Sequence, residues 1–223
     1  MDAVITYIFG KDKEVLREPL TVDDGVEYIC VTDQKNLQSN VWKIKYDAMH
    51  EVSCLRDKMV YVKYNPFKYT NADRICVIDG TLQITKSLKP FFNKLSTSEM
   101  LIKLHPQRNN LYDELQAWEH IRGTDESIRL KYMVMADCDG INLDNNFLVE
   151  SCIVGYSKTK HVLKLCYRIL QYMRFLGDNN KFADSNQCVL TYLLQKHTII
   201  LDIINQSSYA TRYKHGTWQL ADR

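Results

Sequence analysis

The chain has 223 residues, 45% of them hydrophobic and 25% charged, which is the make-up of an ordinary globular protein and excludes a disordered or fibrous one. That length suits a single large domain with a sizeable core. Twenty-nine basic against 27 acidic residues leave a formal charge of +2, too balanced for a general nucleic-acid or membrane-surface binder, so a bound anion has to be gripped locally.

In chain order, residues 3–9, Ala-Val-Ile-Thr-Tyr-Ile-Phe, form a continuous β-branched and aromatic run closed by Gly10. This is the pattern of a strand buried on both faces. Residues 27–32 repeat it and end in Asp33; residues 41–45 alternate and fit an edge strand; residues 74–78 form a third buried strand, closed by Asp79. Apolar positions 111, 115, 118 and 121 mark a helix stripe, and residues 130–136 read as a fourth strand. Residues 162–176 make the strongest helix, stopped by Gly177; residues 187–196 make another, capped by Asp184 or Ser185; a fifth strand is predicted at 198–202. Strands with helical crossovers predict an α/β domain around a mainly parallel sheet, with ligands beyond the carboxyl ends of the strands, where Asp33 and Asp79 fall.

Seven cysteines, at 30, 54, 76, 138, 152, 166 and 188, include no C-x-x-C pair, which removes a zinc knuckle and a dithiol redox site. Most lie in apolar runs, so reduced thiols and a cytoplasmic location are predicted. The first ten residues lack a signal peptide's basic and small-residue regions, and no run approaches the ~18 apolar residues of a membrane span. The ending Ala221-Asp-Arg223 suits either a natural terminus or one domain of a larger multidomain protein.

No Gly-x-Gly-x-x-Gly, Walker A loop, His-Glu-x-x-His or Gly-x-Ser-x-Gly occurs, which removes the commonest dehydrogenase, NTPase, zinc-protease and serine-hydrolase readings. What remains is Ile75-Cys-Val-Ile-Asp79-Gly-Thr-Leu-Gln-Ile84, a hydrophobic strand that delivers one carboxylate to its end. Asp79 there suits Mg²⁺ or Mn²⁺, which use few protein oxygens plus substrate phosphates; it equally suits a turn-opening aspartate that bonds backbone amides. Asp137-Cys-Asp139 is the literal Asp-x-Asp and a rival metal site, or else a turn or acceptor-side pair.

From Met59 through Lys63, Pro66, Phe67, Asp73 and residues 75–84, the sequence resembles a family of small GT-A-type glycosyltransferases found in polysaccharide loci and in large algal viruses. Residues 6–10, Glu18-Pro19, 27–33 and Trp42 are similar to that family's nucleotide-binding half. His105-Pro-Gln-Arg108 with Tyr112-Asp-Glu114, then residues 146–150, and Asn186-Gln187 with Tyr192, are similar to its later blocks. Two departures stand out. Asp79-Gly-Thr81 lacks the second aspartate of Asp-x-Asp, and the family's Arg-Asp-Gln reads Ser185-Asn186-Gln187, with Asp184 displaced by two positions.

The resemblance implies one GT-A-like domain over residues 1–223, with a nucleotide-sugar half at 1–85 and an acceptor half at 86–223. It implies a metal-dependent hexosyl-type transferase that moves a sugar from a nucleoside diphosphate sugar, a UDP-sugar, to a glycan or glycoprotein hydroxyl. Mn²⁺ or Mg²⁺ would bridge Asp79 and the diphosphate, with His215 of the Tyr213-Lys-His-Gly-Thr-Trp218 tail as a second ligand or, read blandly, a surface histidine. Thr6, Tyr7 and Asp33 would hold base and ribose. Arg56, Lys63 and Arg108 would reach the nucleotide or its diphosphate, unless they are solvated charges, and Arg212 or Lys214 could neutralise phosphate. Glu150 and Asp184 are the catalytic carboxylates nearest the acceptor. Two other readings stay open: a sugar nucleotidyltransferase, weakened by a single glycine in the first loop, and a non-catalytic glycan- or nucleotide-binding module.

Overall fold

The computed structural model describes residues 1–10, 15–52, 54–122, 125–177 and 186–212. The predicted buried runs form β1 (Asp2–Ile8), β2 (Val26–Thr32) and, after the short β3 (Lys43–Tyr46) and helix α1 (Leu55–Tyr64), β4 (Arg74–Ile78). Their central residues are withdrawn from water on both faces, which is why they read as continuous apolar runs rather than as alternation. β3, half-exposed, occupies the edge that its alternating sequence predicts.

The chain continues through β5 (Leu82–Ile84), α2 (Lys89–Lys94), β6 (Met100–Leu104), α3 (Leu111–Arg122), α4 (Glu126–Asp139), β7 (Val149–Ser157), α5 (Lys160–Leu176), α6 (Asn186–Lys196), β8 (Leu201–Ile203) and β9 (Ala210–Arg212). Seven strands make one sheet in the order β3-β2-β1-β4-β7-β6-β8, and β5 pairs with β9 beside it. β1, β2, β3 and β4 run parallel, as do β6 and β8. β7 alone is antiparallel to its neighbours β4 and β6, so the sheet is mostly parallel with one central reversal. Both predicted halves of the chain contribute to this one sheet.

Two apolar layers cover the two faces. On one, Val60 of α1, Leu111 of α3, Leu165 and Ile169 of α5 and Leu190 of α6 pack on Ile5, Val77 and Val154. On the other, Phe91 and Phe92 of α2, with Leu82, Tyr209 and Trp42, cover Val4, Ile78 and Leu101. α2 approaches the sheet at Gly155 of β7: a Cβ there would stand 2.9 Å from both Phe91 Cζ and Leu101 Cβ. The backbone approach needs the missing side chain.

The structure corrects the reading of residues 130–136. They lie in α4, not in a strand. Asp125 caps that helix by accepting from the Ser127 amide at 2.8 Å, and Gly140, at φ 67°, ends it in the left-handed conformation. Only Tyr132 and Ala136, four positions apart on one face, are buried, while Leu130, Met133 and Val134 are exposed, so a short apolar run here concealed a helical period. The Asp137-Cys-Asp139 pair therefore ends a helix. Asp139 accepts from Tyr192 and pairs with Lys196 at 2.6 Å, tying α4 to α6. The strand predicted at 198–202 is β8, which begins three positions later, at Leu201. β6 and β7, which the sequence pattern does not mark as strands, lie between β4 and β8.

Replacing Gly155 with alanine is expected to destabilise the fold by about 1–3 kcal/mol, because Phe91 and Leu101 have to give way to the new methyl. A lower urea midpoint at unchanged slope would report it.

Candidate active site

Asp79 follows β4 at the carboxyl edge of the sheet, its amide donating to the Cys152 carbonyl of β7 at 2.9 Å. Tyr7, near the end of β1, donates its phenol to Asp79 Oδ1. The same oxygen pairs with Lys63 Nζ at 2.8 Å. Lys63 stands in the last turn of α1 with its side chain only 6% exposed, and its ammonium lies 5.9 Å from the centre of the Tyr7 ring. Nζ also donates to Ser151 Oγ at 3.3 Å. Ser151 in turn donates to Asn186 Oδ1 at 2.5 Å, which also accepts from the Tyr64 hydroxyl at 3.1 Å. One polar network thus joins β1, α1, β4, β7 and the start of α6.

Helix α1 reaches two strand ends. Its Lys58 pairs with Asp33 Oδ2 at 3.0 Å beyond β2, and Lys63 pairs with Asp79 beyond β4. One helix thus links the loop after β2 to the residue that ends β4, while its Val60 packs on the face of the sheet. Asp33 also accepts from the Gly10 amide at 2.9 Å through Oδ1, fixing the turn after β1, where φ is 88°. The carboxylate predicted to meet ribose is engaged here in positioning the Gly10 turn and α1.

A second cluster flanks the first. Glu150 of β7 accepts from Lys103 of β6 at Oε2 and from Arg212 of β9 at Oε1, the latter at 2.8 Å. Gln206 Oε1 accepts from Lys103 at 3.1 Å and lies 3.4 Å from Cys152 Sγ. Burial alone would raise the Glu150 carboxyl, but the hydrogen bond and charge of Lys103 and the charge of Arg212 hold it below its ordinary value. Burial disfavours the charged Arg212, yet neighbouring anions, Glu150 and Asp79 among them, hold its pKa above the ordinary value. Burial pushes the Cys152 thiol up to about 12, which rules it out as a thiolate nucleophile at neutral pH. Counting the two clusters together, Lys63, Lys103 and Arg212 face Asp79 and Glu150, a surplus of one positive charge.

The other predicted residues fall as follows. Thr6 is buried within β1 opposite Cys30 of β2 rather than at the strand's end. Arg56 occupies the first turn of α1, half-buried. Arg108, after β6, is tied by its guanidinium to Glu114, a wholly buried carboxylate that also accepts from Trp118 at 2.7 Å and from Gln187. Asp184 and His215 lie outside the described residues. Lys103, Ser151 and Gln206 are site residues that the sequence reading passed over. A lone lysine at the end of an apolar run, as in Met100-Leu-Ile-Lys-Leu104, is the signal that marks Lys103.

The described residues do not by themselves fit a divalent cation. Among them no group of three or more His, Cys, Asp or Glu side chains converges as metal ligands. More directly, Asp79 Oδ1 is occupied by an ammonium and a phenol O–H. A doubly charged ion on that carboxylate would stand about 5 Å from Nζ, a repulsion of about 7 kcal/mol at an effective dielectric of 20 before any phosphate arrives.

A mostly parallel seven-stranded sheet with helices packed on it is the α/β, GT-A-like architecture that the sequence predicts. The crystal structure of mouse xyloside xylosyltransferase 1 in its apo form is similar, with a TM-score of 0.52 over 93% of this chain and 86% of that one, at 9% sequence identity. At that identity the likeness is one of fold. No protein-family model matches the sequence, and no curated protein sequence matches it. No helix among the described residues is long and apolar enough to cross a membrane.

Arg108→Ala leaves the Glu114 charge buried without its cation and is expected to cost about 3–5 kcal/mol, read as a drop in unfolding free energy. A folded-state carboxyl held below its unfolded value stabilises at neutral pH, and that contribution is lost as pH falls through the folded value. Melting temperature is accordingly expected to fall below pH about 4.5, the ordinary glutamate value, with a shallower acid slope in Glu150→Gln.

Proposed function

We propose that this chain is a glycosyltransferase that moves a sugar from a nucleoside diphosphate sugar, a UDP-sugar, to a hydroxyl of a glycan or glycoprotein. What supports the reading is the convergence of Tyr7, Lys63, Asp79 and Ser151 at the carboxyl ends of parallel strands, beside a cluster that leaves one positive charge unmatched. In open α/β sheets ligands bind there. The fold shared with a xylosyltransferase points the same way, and the sequence resemblance supplies the donor class.

In the reaction the bond between the anomeric carbon and the diphosphate oxygen breaks, and the diphosphate keeps the electron pair. A bond forms from the acceptor oxygen to the anomeric carbon, and the acceptor's proton passes to a base. The leaving group gains negative charge, so fixed cations aimed at it lower the barrier more than they lower the energy of the bound donor. Lys63 is the best-fixed of these, and Lys103 and Arg212 stand on the adjoining strands.

Glu150 has both oxygens engaged by cations and its pKa depressed, which makes it a poor proton acceptor. We assign it to positioning Lys103 and Arg212. The acceptor proton is assigned to Asp184, two positions before Asn186, whose amide oxygen belongs to the site network.

Release of UDP from a panel of UDP-sugars, with and without glycan acceptors, tests the reading. At least one UDP-sugar is expected to turn over, and Asp79→Asn to slow it by about 10²-fold or more with the circular dichroism spectrum unchanged. A glycan-binding module would instead release no UDP and would keep its glycan affinity in Asp79→Asn.

A further inference from the structure

The mismatch between Asp79 and a divalent ion leads to a specific assignment, which rests on the donor-site reading above. We propose that the Lys63 ammonium takes the metal's place: it neutralises the donor's diphosphate directly, and donor binding needs no divalent cation.

Three observations carry this. The first is position. Lys63 Nζ lies 2.8 Å from the carboxylate that ends β4, where a cation held by Asp79 would also sit. The second is donor capacity. An ammonium has three N–H groups, and among the described residues two are directed at protein oxygens, Asp79 Oδ1 and Ser151 Oγ. A third remains for a ligand oxygen.

The third is preorganisation. A surface lysine gives up much rotamer freedom when it grips a phosphate, but this one is already buried to 5% exposure and held between the Tyr7 ring, Asp79 and Ser151. Asp79 then has a different task from ligating an ion: it holds the Lys63 side chain in place and aimed. The single aspartate of Asp79-Gly-Thr81 accords with this, because a lysine needs one carboxylate where a metal ion needs several oxygens. Lys103 and Arg212 supply further positive charge, so the diphosphate is not left to Lys63 alone.

Calorimetric titration of UDP, GDP and dTDP into the whole protein, in EDTA and then in Mn²⁺, tests the assignment. Binding of at least one nucleotide in EDTA, with an affinity less than tenfold weaker than in Mn²⁺, is expected. Lys63→Met keeps the length of the side chain and removes its charge. It is expected to weaken that nucleotide by about tenfold or more, the size of one charge-assisted hydrogen bond, with no recovery on adding Mn²⁺. If binding in Mn²⁺ is tenfold or more tighter than in EDTA, or if a folded Lys63→Met binds as the wild type does, the assignment is overturned while the donor site stands. If no nucleoside diphosphate binds in either condition, the donor-site reading fails and the assignment falls with it. The EDTA comparison uses the wild-type chain, so a Lys63→Met that does not fold leaves the test intact.

Discussion

An ammonium that is almost wholly out of water has to be matched by a carboxylate, and the carboxylate has to be held still to match it. Lys63 and Asp79 are such a pair, and much of the architecture can be understood as the means of keeping them together. β4 must end where it does so that Asp79 faces α1. β1 must run beside β4 so that the Tyr7 phenol reaches the same oxygen. α1 must bring Lys63 to Asp79, and it is tied again by Lys58, which pairs with Asp33 after β2. Removing either partner would leave a charge largely buried without its opposite, which is far costlier than never having buried the pair.

The reversed strand β7 gives this arrangement its chemistry. A strand antiparallel to β4 begins where β4 ends, so the first residues of β7 arrive beside Asp79. Glu150, Ser151 and Cys152 therefore meet Lys103, Lys63 and Gln206 respectively, although they are consecutive in the chain. Ser151 links the lysine to Asn186 at the start of α6, and Glu150 gathers cations from β6 and β9. The result is a strip of alternating charge with a net positive balance. In the proposed transfer reaction such a strip would accept the charge that builds on a departing diphosphate, with groups that folding has already fixed in place.

Some of this is written plainly in the chain. β1, β2 and β4 are continuous apolar runs because both their faces are covered, and Asp33 and Asp79 stand out as the first charges after them. The helix at Lys160–Leu176 is equally legible, since its apolar residues recur at helical spacing and Thr159 and Gly177 bracket it. β7 is less so: Glu150, Ser151 and Gly155 interrupt its apolar pattern, each placed by the site or by α2 rather than by the needs of a strand. The run at 130–136 misleads for the opposite reason, because apolar side chains on the outer face of α4 mimic a buried strand.

The sequence by itself determined the class of fold and set Asp33 and Asp79 just beyond the carboxyl ends of β2 and β4, because burial on both faces and a terminal aspartate are local patterns. Only the tertiary structure decided what Asp79 is paired with and what Glu150 does. Lys103 and Arg212 stand 47 and 62 positions from Glu150, and Tyr7 stands 72 from Asp79. No local spacing encodes contacts over such separations; strand order creates them. Whether a carboxylate meets water, a metal or an ammonium depends on which distant side chain the sheet brings to it, and here it brings Lys63.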